Sequence, residues 1–209
     1  MLPSAIILQV ASPDYSGLLD LTRENSFAYC ARHGLRFFGR PLEAVTCRDR
    51  LEWIIKTLHH ADWLWYLGAD TLITNHMTDV RRVLSQFNAD DSADLLIAHD
   101  VNGLNNDSFL IRNCPASVAF LSAAAEMQSH AANDQVAMDW LIRHGRIATA
   151  IIPQRAINSY DYSLYNYTPE QVAAVGGSWQ PGDLLLHVPG LPFAKREQVI
   201  REHLPMVLK

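Results

Sequence analysis

Stretches of continuous apolar sequence alternate along the chain with stretches whose apolar residues recur at helical spacing. Residues 63–67, Trp-Leu-Trp-Tyr-Leu, are all large and apolar. A run without a polar face is typical of a strand that is buried on both sides, as in the middle of a mostly parallel sheet. From Leu51 onwards, apolar residues fall at i, i+3, i+4 and i+7, which predicts an amphipathic helix over about 48–60.

The N-terminal part of the chain predicts a βαβ unit. A strand is predicted over 5–11, a helix that ends at His33 just before Gly34, and a second strand over 35–38. Strand, helix and strand in so short a span imply a parallel pair of strands. Strands and helices continue to alternate, so the sequence predicts an α/β fold. The later predicted strands lie at 95–98, 108–112, 147–152 and 183–187.

Two predictions in the second half of the chain concern polar residues. Residues 101–107 are rich in turn formers and are predicted to form a turn before the strand at 108–112. A helix is predicted over about 133–144, with Asp134 and Gln135 in its first turn. The residues predicted to face the core from this helix are Val136, Ala137, Trp140 and Leu141.

Composition narrows the class of protein. Apolar residues make up 49% of the 209 residues and charged residues 19%, as in a soluble globular protein with a full core. The net charge is −5 and no stripe of Lys or Arg stands out, which argues against a nucleic-acid surface. The three cysteines are scattered and predict no disulfide framework. One domain over 1–209 is expected, and no segment is apolar for long enough to span a membrane. That this domain is part of a longer protein stays open as an alternative.

The first charged residue after the apolar run at 63–67 is Asp70, which follows Gly68 and Ala69. Ligands of open α/β sheets bind outside the carboxyl ends of the strands, and Asp70 is predicted to lie there. Two interpretations remain open for this carboxylate. It is either an aspartate of a turn or helix cap, or a ligand for a hard divalent cation, which prefers oxygen donors.

Four parts of the chain together resemble one known family. They keep the order and spacing seen in the retaining glycosyltransferases of the fungal α-1,2-galactosyltransferase and plant xyloglucan xylosyltransferase type. The resemblance implies the GT-A fold, with a central mostly parallel sheet flanked by helices. It also implies a UDP-sugar as donor and Mn²⁺ or Mg²⁺ as cofactor. The matching stretches are 63–75, 102–113, 133–137, and 153–160 together with 182–190.

The resemblance assigns the metal to Asp70 and His187. In the family a DxD motif follows the central strand, and its last Asp and a distant His bind the metal. Here Gly68 replaces the first Asp of that motif, which removes one carboxylate. Asp70 and His187, completed by diphosphate oxygens and waters, still reach octahedral coordination.

The family's catalytic Asp-Gln pair matches Asp134 and Gln135. A carboxylate or amide at this place stabilises the oxocarbenium-like state of the donor sugar. The alternative for Asp134 is a partner of the helix dipole. Asn105 and Asn106 lie in the loop that binds sugar hydroxyls in the family; simple turn chemistry is the alternative for both. Asp107 stands here in place of a glycine of the family.

The remaining donor contacts are assigned to three other places in the sequence. Ala11 and Ser12, at the exit of the first strand, are expected to hold uracil and ribose through backbone groups, and Tyr15 either stacks on the base or packs in its loop. Ala69 is assigned to the donor site beside Asp70. Lys195, or else its neighbour Arg196, is expected to offset charge on the diphosphate, although a solvated charge at a helix start is the alternative.

The sequence therefore predicts a retaining glycosyltransferase that moves a sugar from a UDP-sugar to a glycan or glycoprotein acceptor. A catalytically degenerate module that binds sugar nucleotide or glycan is the alternative, and Gly68 supports it. A metal-dependent nucleotidyltransferase is disfavoured, because residues 12–17 lack the basic residues of a phosphate loop. Fungal and plant members are anchored in the Golgi membrane. The cytoplasm is the expected location here, and the Golgi is the alternative if an anchor lies outside this sequence.

Overall fold

The computed structural model describes residues 2–41, 46–127 and 133–209. Its strands are β1 (Ala5–Ala11), β2 (Arg36–Pro41), β3 (Trp63–Leu67), β4 (Thr71–Ile73), β5 (Leu95–Asp100), β6 (Gly103–Arg112), β7 (Thr149–Ile152) and β8 (Leu185–His187). Its helices are α1 (Ser16–His33), α2 (Cys47–Leu58), α3 (Arg81–Phe87), α4 (Pro115–Glu126), α5 (Asp134–Arg143), α6 (Gln154–Ile157), α7 (Pro169–Ala174) and α8 (Phe193–His203). None of the helices in the described residues has the length and apolar character needed to cross a bilayer.

The main sheet has the strand order β2-β1-β3-β6-β5-β7. β1 runs parallel to β2 and β3, and β5 runs parallel to β7. β6 is antiparallel to both of its neighbours, β3 and β5. The sheet is therefore mostly parallel, as predicted. The next two strands along the chain, β2 and β3, pair with opposite edges of β1. That change of direction creates a crevice at the carboxyl ends of β1 and β3.

A second, smaller sheet joins β4 and β8 in antiparallel pairing. Its register places Thr71 opposite His187, and the N–H of Val188 donates to the carbonyl oxygen of Asp70 at 3.2 Å. These backbone contacts bring two distant parts of the sequence together at the edge of the crevice. β4 was not predicted, because a three-residue strand has no periodicity that the sequence alone reveals.

β3 is buried on both faces, as its continuous apolar sequence predicts. Leu64 and Tyr66 face one core cluster, which includes apolar residues of α2, α4 and α5. Trp63, Trp65 and Leu67 face the opposite cluster, which includes residues of α1 and α3. The two clusters account for the layered arrangement of helix, sheet and helix that an α/β fold requires.

The predicted core face of α5 is partly wrong. Val136 and Trp140 are 48% and 45% exposed, whereas Met138 is fully buried. The buried side of the helix also contains Asp134, whose carboxylate receives a 2.6 Å hydrogen bond from Nε of Arg50. The orientation of α5 thus reflects a buried ion pair as well as apolar spacing.

The predicted turn over 101–107 is also shorter than expected, because β6 begins at Gly103. Asn105 pairs with Ala98 in β5, next to a register shift between Ile97 and Ala98. The side chain of Asn105 donates to Oδ2 of Asp100 at 3.1 Å within the protein. Buried hydrogen bonds of this kind let turn-forming residues occupy a strand.

Gly34 ends α1 in the left-handed conformation, with φ of 65°. A Cβ added there would meet no atom within 4 Å, so any cost of a side chain comes from the backbone alone. We expect Gly34→Ala to lower the free energy of unfolding by about 1 kcal/mol. Gly34→Asn should lose less, since asparagine tolerates this conformation. Urea unfolding of both variants checks this, and equal losses would contradict it.

Candidate active site

A cleft of about 330 Å³ lies at the carboxyl ends of β1 and β3, at the crevice created by the sheet topology. It contains five of the residues assigned to the donor or metal from the sequence: Ala11, Ser12, Tyr15, Ala69 and Asp70. Its volume lies within the range of small-ligand sites. The full lining is Val10, Ala11, Ser12, Tyr15, Cys47, Arg50, Tyr66, Gly68, Ala69, Asp70, Asp107 and Arg196.

Asp70 lines this cleft and meets His187, which is fully buried and is not among the lining residues. Nε2 of His187 lies 3.3 Å from Oδ1 of Asp70, and Nη1 of Arg196 donates to Oδ2 of Asp70 at 2.8 Å. Burial raises the pKa of Asp70, but the positive charges of His187 and Arg196 outweigh this and hold it below its usual value. Asp70 is therefore a carboxylate at neutral pH.

The ring of His187 is fully buried and oriented by a chain of amides. Nδ2 of Asn158 donates to Oδ1 of Asn105 at 2.9 Å, so Oδ1 of Asn158 is the acceptor for Nδ1 of His187 at 2.8 Å. With its proton on Nδ1, a neutral ring presents a lone pair at Nε2. A hydrogen bond from the ring nitrogen that does not bind the metal is typical of metal-binding histidines.

Nε2 of His187 is a buried polar atom without a hydrogen-bond partner among the described residues. Burial lowers the pKa of His187, but the carboxylates of Asp70 and Asp107 raise it above its usual value. The surroundings of Nε2 thus favour positive charge, from either a proton or a metal ion. A buried polar atom that lacks a partner carries a cost unless a ligand satisfies it.

The donor set fits a hexacoordinate divalent cation that is completed by other ligands. No group of three or more His, Cys, Asp or Glu side chains in the described part of the chain is arranged to hold a metal ion unaided. One imidazole nitrogen and one carboxylate, however, suit Mn²⁺ or Mg²⁺, which take further oxygens from phosphates and water. Asp70 and His187 are the residues that would hold such an ion.

Arg50 also lines the cleft, although no role was assigned to it from the sequence. Its side chain is 18% exposed and donates to Oδ2 of Asp134 at 2.6 Å and to Oδ1 of Asp107 at 2.8 Å. Burial lowers the pKa of Arg50, but Tyr66 and the two carboxylates raise it well above its usual value. The available signal was its place one turn before Ile54, which puts a charge on the apolar face of α2.

Asp134 begins α5 and is buried, while Gln135 beside it is partly exposed. Asn133 caps the helix, because its Oδ1 accepts the N–H of Val136 at 2.9 Å. The cap and the Arg50 ion pair together fix the carboxylate of Asp134. The roles of Asp134 and Gln135 at the donor sugar stay predictions.

Asn105 and Asn106 lie on β6 and are buried beneath the cleft. Oδ1 of Asn106 accepts from Nη2 of Arg50 at 3.3 Å, and Oδ1 of Asn105 accepts the N–H of Asp107 at 3.1 Å. Neither asparagine is among the residues that line the cleft. The structure shows both in positions that support the site, and their contacts with sugar hydroxyls stay predictions.

Of the two neighbouring cations at the start of α8, Arg196 lines the cleft and Lys195 does not. Nζ of Lys195 donates to Oε1 of Gln198 at 3.4 Å on the exposed side of the helix. Arg196 also lies with its Cζ 5.1 Å from the ring centroid of Tyr15. Of these two cations, the one that borders the cleft is therefore Arg196.

The comparison with known families decides where this chain belongs. Residues 6–197 match the galactosyl transferase GMA12/MNN10 family. The chain belongs to this family. A match over nearly the whole chain agrees with the four resembling stretches found in the sequence, and the GMA12/MNN10 assignment covers both the Asp70 region and the His187 region.

Two GMA12/MNN10 relatives come from Schizosaccharomyces pombe. Probable α-1,2-galactosyltransferase gmh2 is 29% identical over 196 residues, which covers 73% of this chain and 53% of the relative. Probable α-1,2-galactosyltransferase gmh1 is 27% identical over 169 residues, which covers 62% and 48%. The chain thus spans about half the length of the curated relatives it matches.

Solved structures establish the GT-A fold. A glycosyltransferase involved in glycosylation of the major capsid of PBCV-1 is similar, with a TM-score of 0.69 and 17% identity, covering 96% of this chain and 100% of that one. The galactosyltransferase LgtC is similar with a TM-score of 0.65 and 12% identity, covering 97% and 96%. At these identities the likeness shows the fold alone.

Proposed function

We propose that this GMA12/MNN10 member is a retaining glycosyltransferase that transfers a sugar from a UDP-sugar to a glycan or glycoprotein acceptor. The observation that carries the proposal is the buried Nε2 of His187, which faces Asp70 without a hydrogen-bond partner among the described residues. Asp70 lines the cleft at the carboxyl ends of β1 and β3, and the buried His187 lies against this aspartate. The family assignment supports the same reaction class.

The nucleotide is proposed to enter the cleft along the exit of β1. Ala11 and Ser12 offer backbone groups there, and Tyr15 contributes an aromatic face that is 36% exposed. Rings of this kind stack on planar bases and on sugar faces. The nucleotide diphosphate then points towards Asp70 and Arg196, where the guanidinium of Arg196 supplies positive charge.

The bond between the anomeric carbon and the diphosphate oxygen breaks with growing negative charge on the diphosphate. A divalent ion, when bound by Asp70 and His187, would neutralise that charge as a Lewis acid. The guanidinium of Arg196 adds a fixed positive charge beside Asp70. Its Nε is held by the carbonyl oxygen of Leu191 at 2.6 Å, so this charge is preorganised.

The donor sugar is proposed to lie beside the start of α5. In this proposal the carboxylate of Asp134 and the amide of Gln135 would stabilise positive charge on the sugar ring. Arg50 holds Asp134 by a buried ion pair, which keeps its carboxylate in one orientation. As the bond to the diphosphate breaks, the acceptor oxygen forms the new bond to the anomeric carbon, and the hydroxyl proton passes to the departing diphosphate.

The test is isothermal titration of a panel of UDP-sugars in Mn²⁺ and then in EDTA, followed by a UDP-release assay on the tightest binder. Metal-dependent binding with slow hydrolytic release of UDP is the expected result, and it would also identify the donor. A chain that binds no donor under either condition would overturn the proposal. It would favour the degenerate glycan-binding module that Gly68 suggests.

His187→Ala should weaken metal binding much more than nucleotide binding, because the ring contacts the metal side of the site. We expect the affinity for Mn²⁺ in the presence of UDP to fall at least about 10-fold to 100-fold. The affinity for UDP in EDTA should change little. His59→Ala, at the exposed end of α2, is the matched control. Unchanged Mn²⁺ affinity in His187→Ala would remove this residue from the metal site.

A further inference from the structure

A second carboxylate faces Nε2 of His187. Oδ2 of Asp107 lies 3.8 Å from this nitrogen, compared with 3.3 Å for Oδ1 of Asp70. Ligands at right angles on an octahedral ion, each about 2.1 Å from it, lie about 3 Å apart. As placed, the described residues form no three-ligand group, and the carboxyl groups must move for both to share one cation with His187.

Asp107 occupies this position because of its backbone partner. The N–H of Gly68 donates to the carbonyl oxygen of Asp107 at 2.7 Å, which continues the antiparallel pairing of Leu67 with Ser108. Positions 68 and 107 are thus neighbours across the ends of β3 and β6. Side chains at directly opposite positions are neighbours on one face of a sheet.

The absence of a side chain at Gly68 gives Asp107 its room. A Cβ built at position 68 would lie 3.2 Å from Cβ and 3.5 Å from Cγ of Asp107, and 3.1 Å from Oδ1 of Asp70. A side chain at 68 would therefore enter the space that the carboxyl group of Asp107 fills. The carboxylate of an aspartate at position 68 and the carboxylate of Asp107 would therefore border the same point beside Asp70.

The other carboxylate oxygen of Asp107, Oδ1, already accepts a hydrogen bond. Oδ1 accepts from Nη1 of Arg50 at 2.8 Å, which leaves Oδ2 towards His187. The side chain is 29% exposed in the cleft, so an arriving cation can reach it. Nε2 of His187, which is buried and lacks a hydrogen bond among the described residues, points independently to a cation at this place.

We propose that Asp107 is a third protein ligand of the divalent cation and replaces, from the neighbouring strand, the carboxylate that the chain lacks at Gly68. The inference rests on the proposed function, because it concerns the metal of the same cleft. On this view the glycine at 68 is no sign of a degenerate site. The cation would keep the same number of carboxylate ligands as in the family's DxD motif, but one of them would come from β6.

The experiment is a Mn²⁺ titration followed by electron paramagnetic resonance, in the presence of UDP, which needs no turnover. Asp107→Asn keeps the size of the side chain and removes its charge. We expect it to weaken Mn²⁺ binding by about 10-fold or more while affinity for UDP in EDTA changes little. Asp20→Asn, on the exposed side of α1, is the control for loss of one acidic charge.

The reciprocal exchange separates ligation from the contact with Arg50. Asp107→Gly should bind Mn²⁺ weakly, and Gly68→Asp combined with Asp107→Gly should recover affinity to within about 3-fold of the natural chain. A folded double variant that stays as weak as Asp107→Gly would overturn the exchange, because the loss would then come through Arg50. If the double variant does not fold, by circular dichroism, Asp107→Asn alone decides.

The outcomes also distinguish this inference from the proposed function. If the natural chain binds Mn²⁺ and UDP-sugar and Asp107→Asn binds Mn²⁺ equally well, Asp107 is no ligand and the transferase proposal stands. If the natural chain binds neither the donor nor Mn²⁺ with UDP, both proposals fail together.

Discussion

Asp70→Asn is expected to abolish the metal-dependent part of UDP binding. Asparagine keeps the shape of the side chain but lacks the charge that a divalent cation requires. The loss should reach about 100-fold or more in Mn²⁺ affinity, the upper end of what even outer-sphere partners of a metal contribute. Transfer activity should fall by a comparable or larger factor. Calorimetric titration with UDP in Mn²⁺ and in EDTA measures the two contributions separately.

Asp139→Asn is a matched control for Asp70→Asn. Asp139 forms an i,i+4 ion pair with Arg143 on α5, away from the residues that line the cleft. Its replacement should leave metal and nucleotide binding unchanged. If Asp70→Asn kept the full Mn²⁺-dependent affinity for UDP, Asp70 would be a structural aspartate and the metal assignment would be wrong.

Arg50→Met should have the largest effect on stability. The guanidinium bridges the buried Asp134 and the partly exposed Asp107, so its removal leaves a buried carboxylate without a countercharge. Breaking a buried pair in this way typically costs about 3–5 kcal/mol in the free energy of unfolding. Urea unfolding followed by circular dichroism measures it.

A double variant tests the reason for that loss. Arg50→Met combined with Asp134→Asn removes the uncompensated charge as well and should recover about 1 kcal/mol or more of the loss. The exposed pair of Arg201 and Glu197 on α8 provides the contrast, since Arg201→Met should cost less than about 1 kcal/mol. Equal costs at Arg50 and Arg201 would contradict the electrostatic account.

The parts of the molecule that could be predicted from sequence are those with a local signal. The apolar run at 63–67 identifies a doubly buried strand, and Asp70 is the first charged residue after it, so both were placed without tertiary information. His187 was assigned through the family resemblance. Its orientation by Asn158 could not be foreseen, because 29 residues separate the two in sequence.

The ion pairs of the site left no comparable signal. Arg50 meets Asp134 across 84 residues and Asp107 across 57 residues, and neither separation corresponds to any helical or strand period. The same cause explains the incorrect core face of α5, which was read from apolar spacing alone. Asn105 carries turn propensity in isolation, and only its buried partners make a strand the stable choice.

The pairing of β4 with β8 has an entropic consequence. Because Thr71 lies opposite His187 in a backbone ladder, the segment after Asp70 and the strand that carries His187 are immobilised when the protein folds. Restricting a side chain and its backbone costs about 1–2 kcal/mol per residue. For these two residues that cost belongs to the folding equilibrium. A cation that binds between Asp70 and His187 meets side chains whose positions are already fixed. Its affinity therefore reflects the contacts it makes, with little entropic cost for ordering these residues.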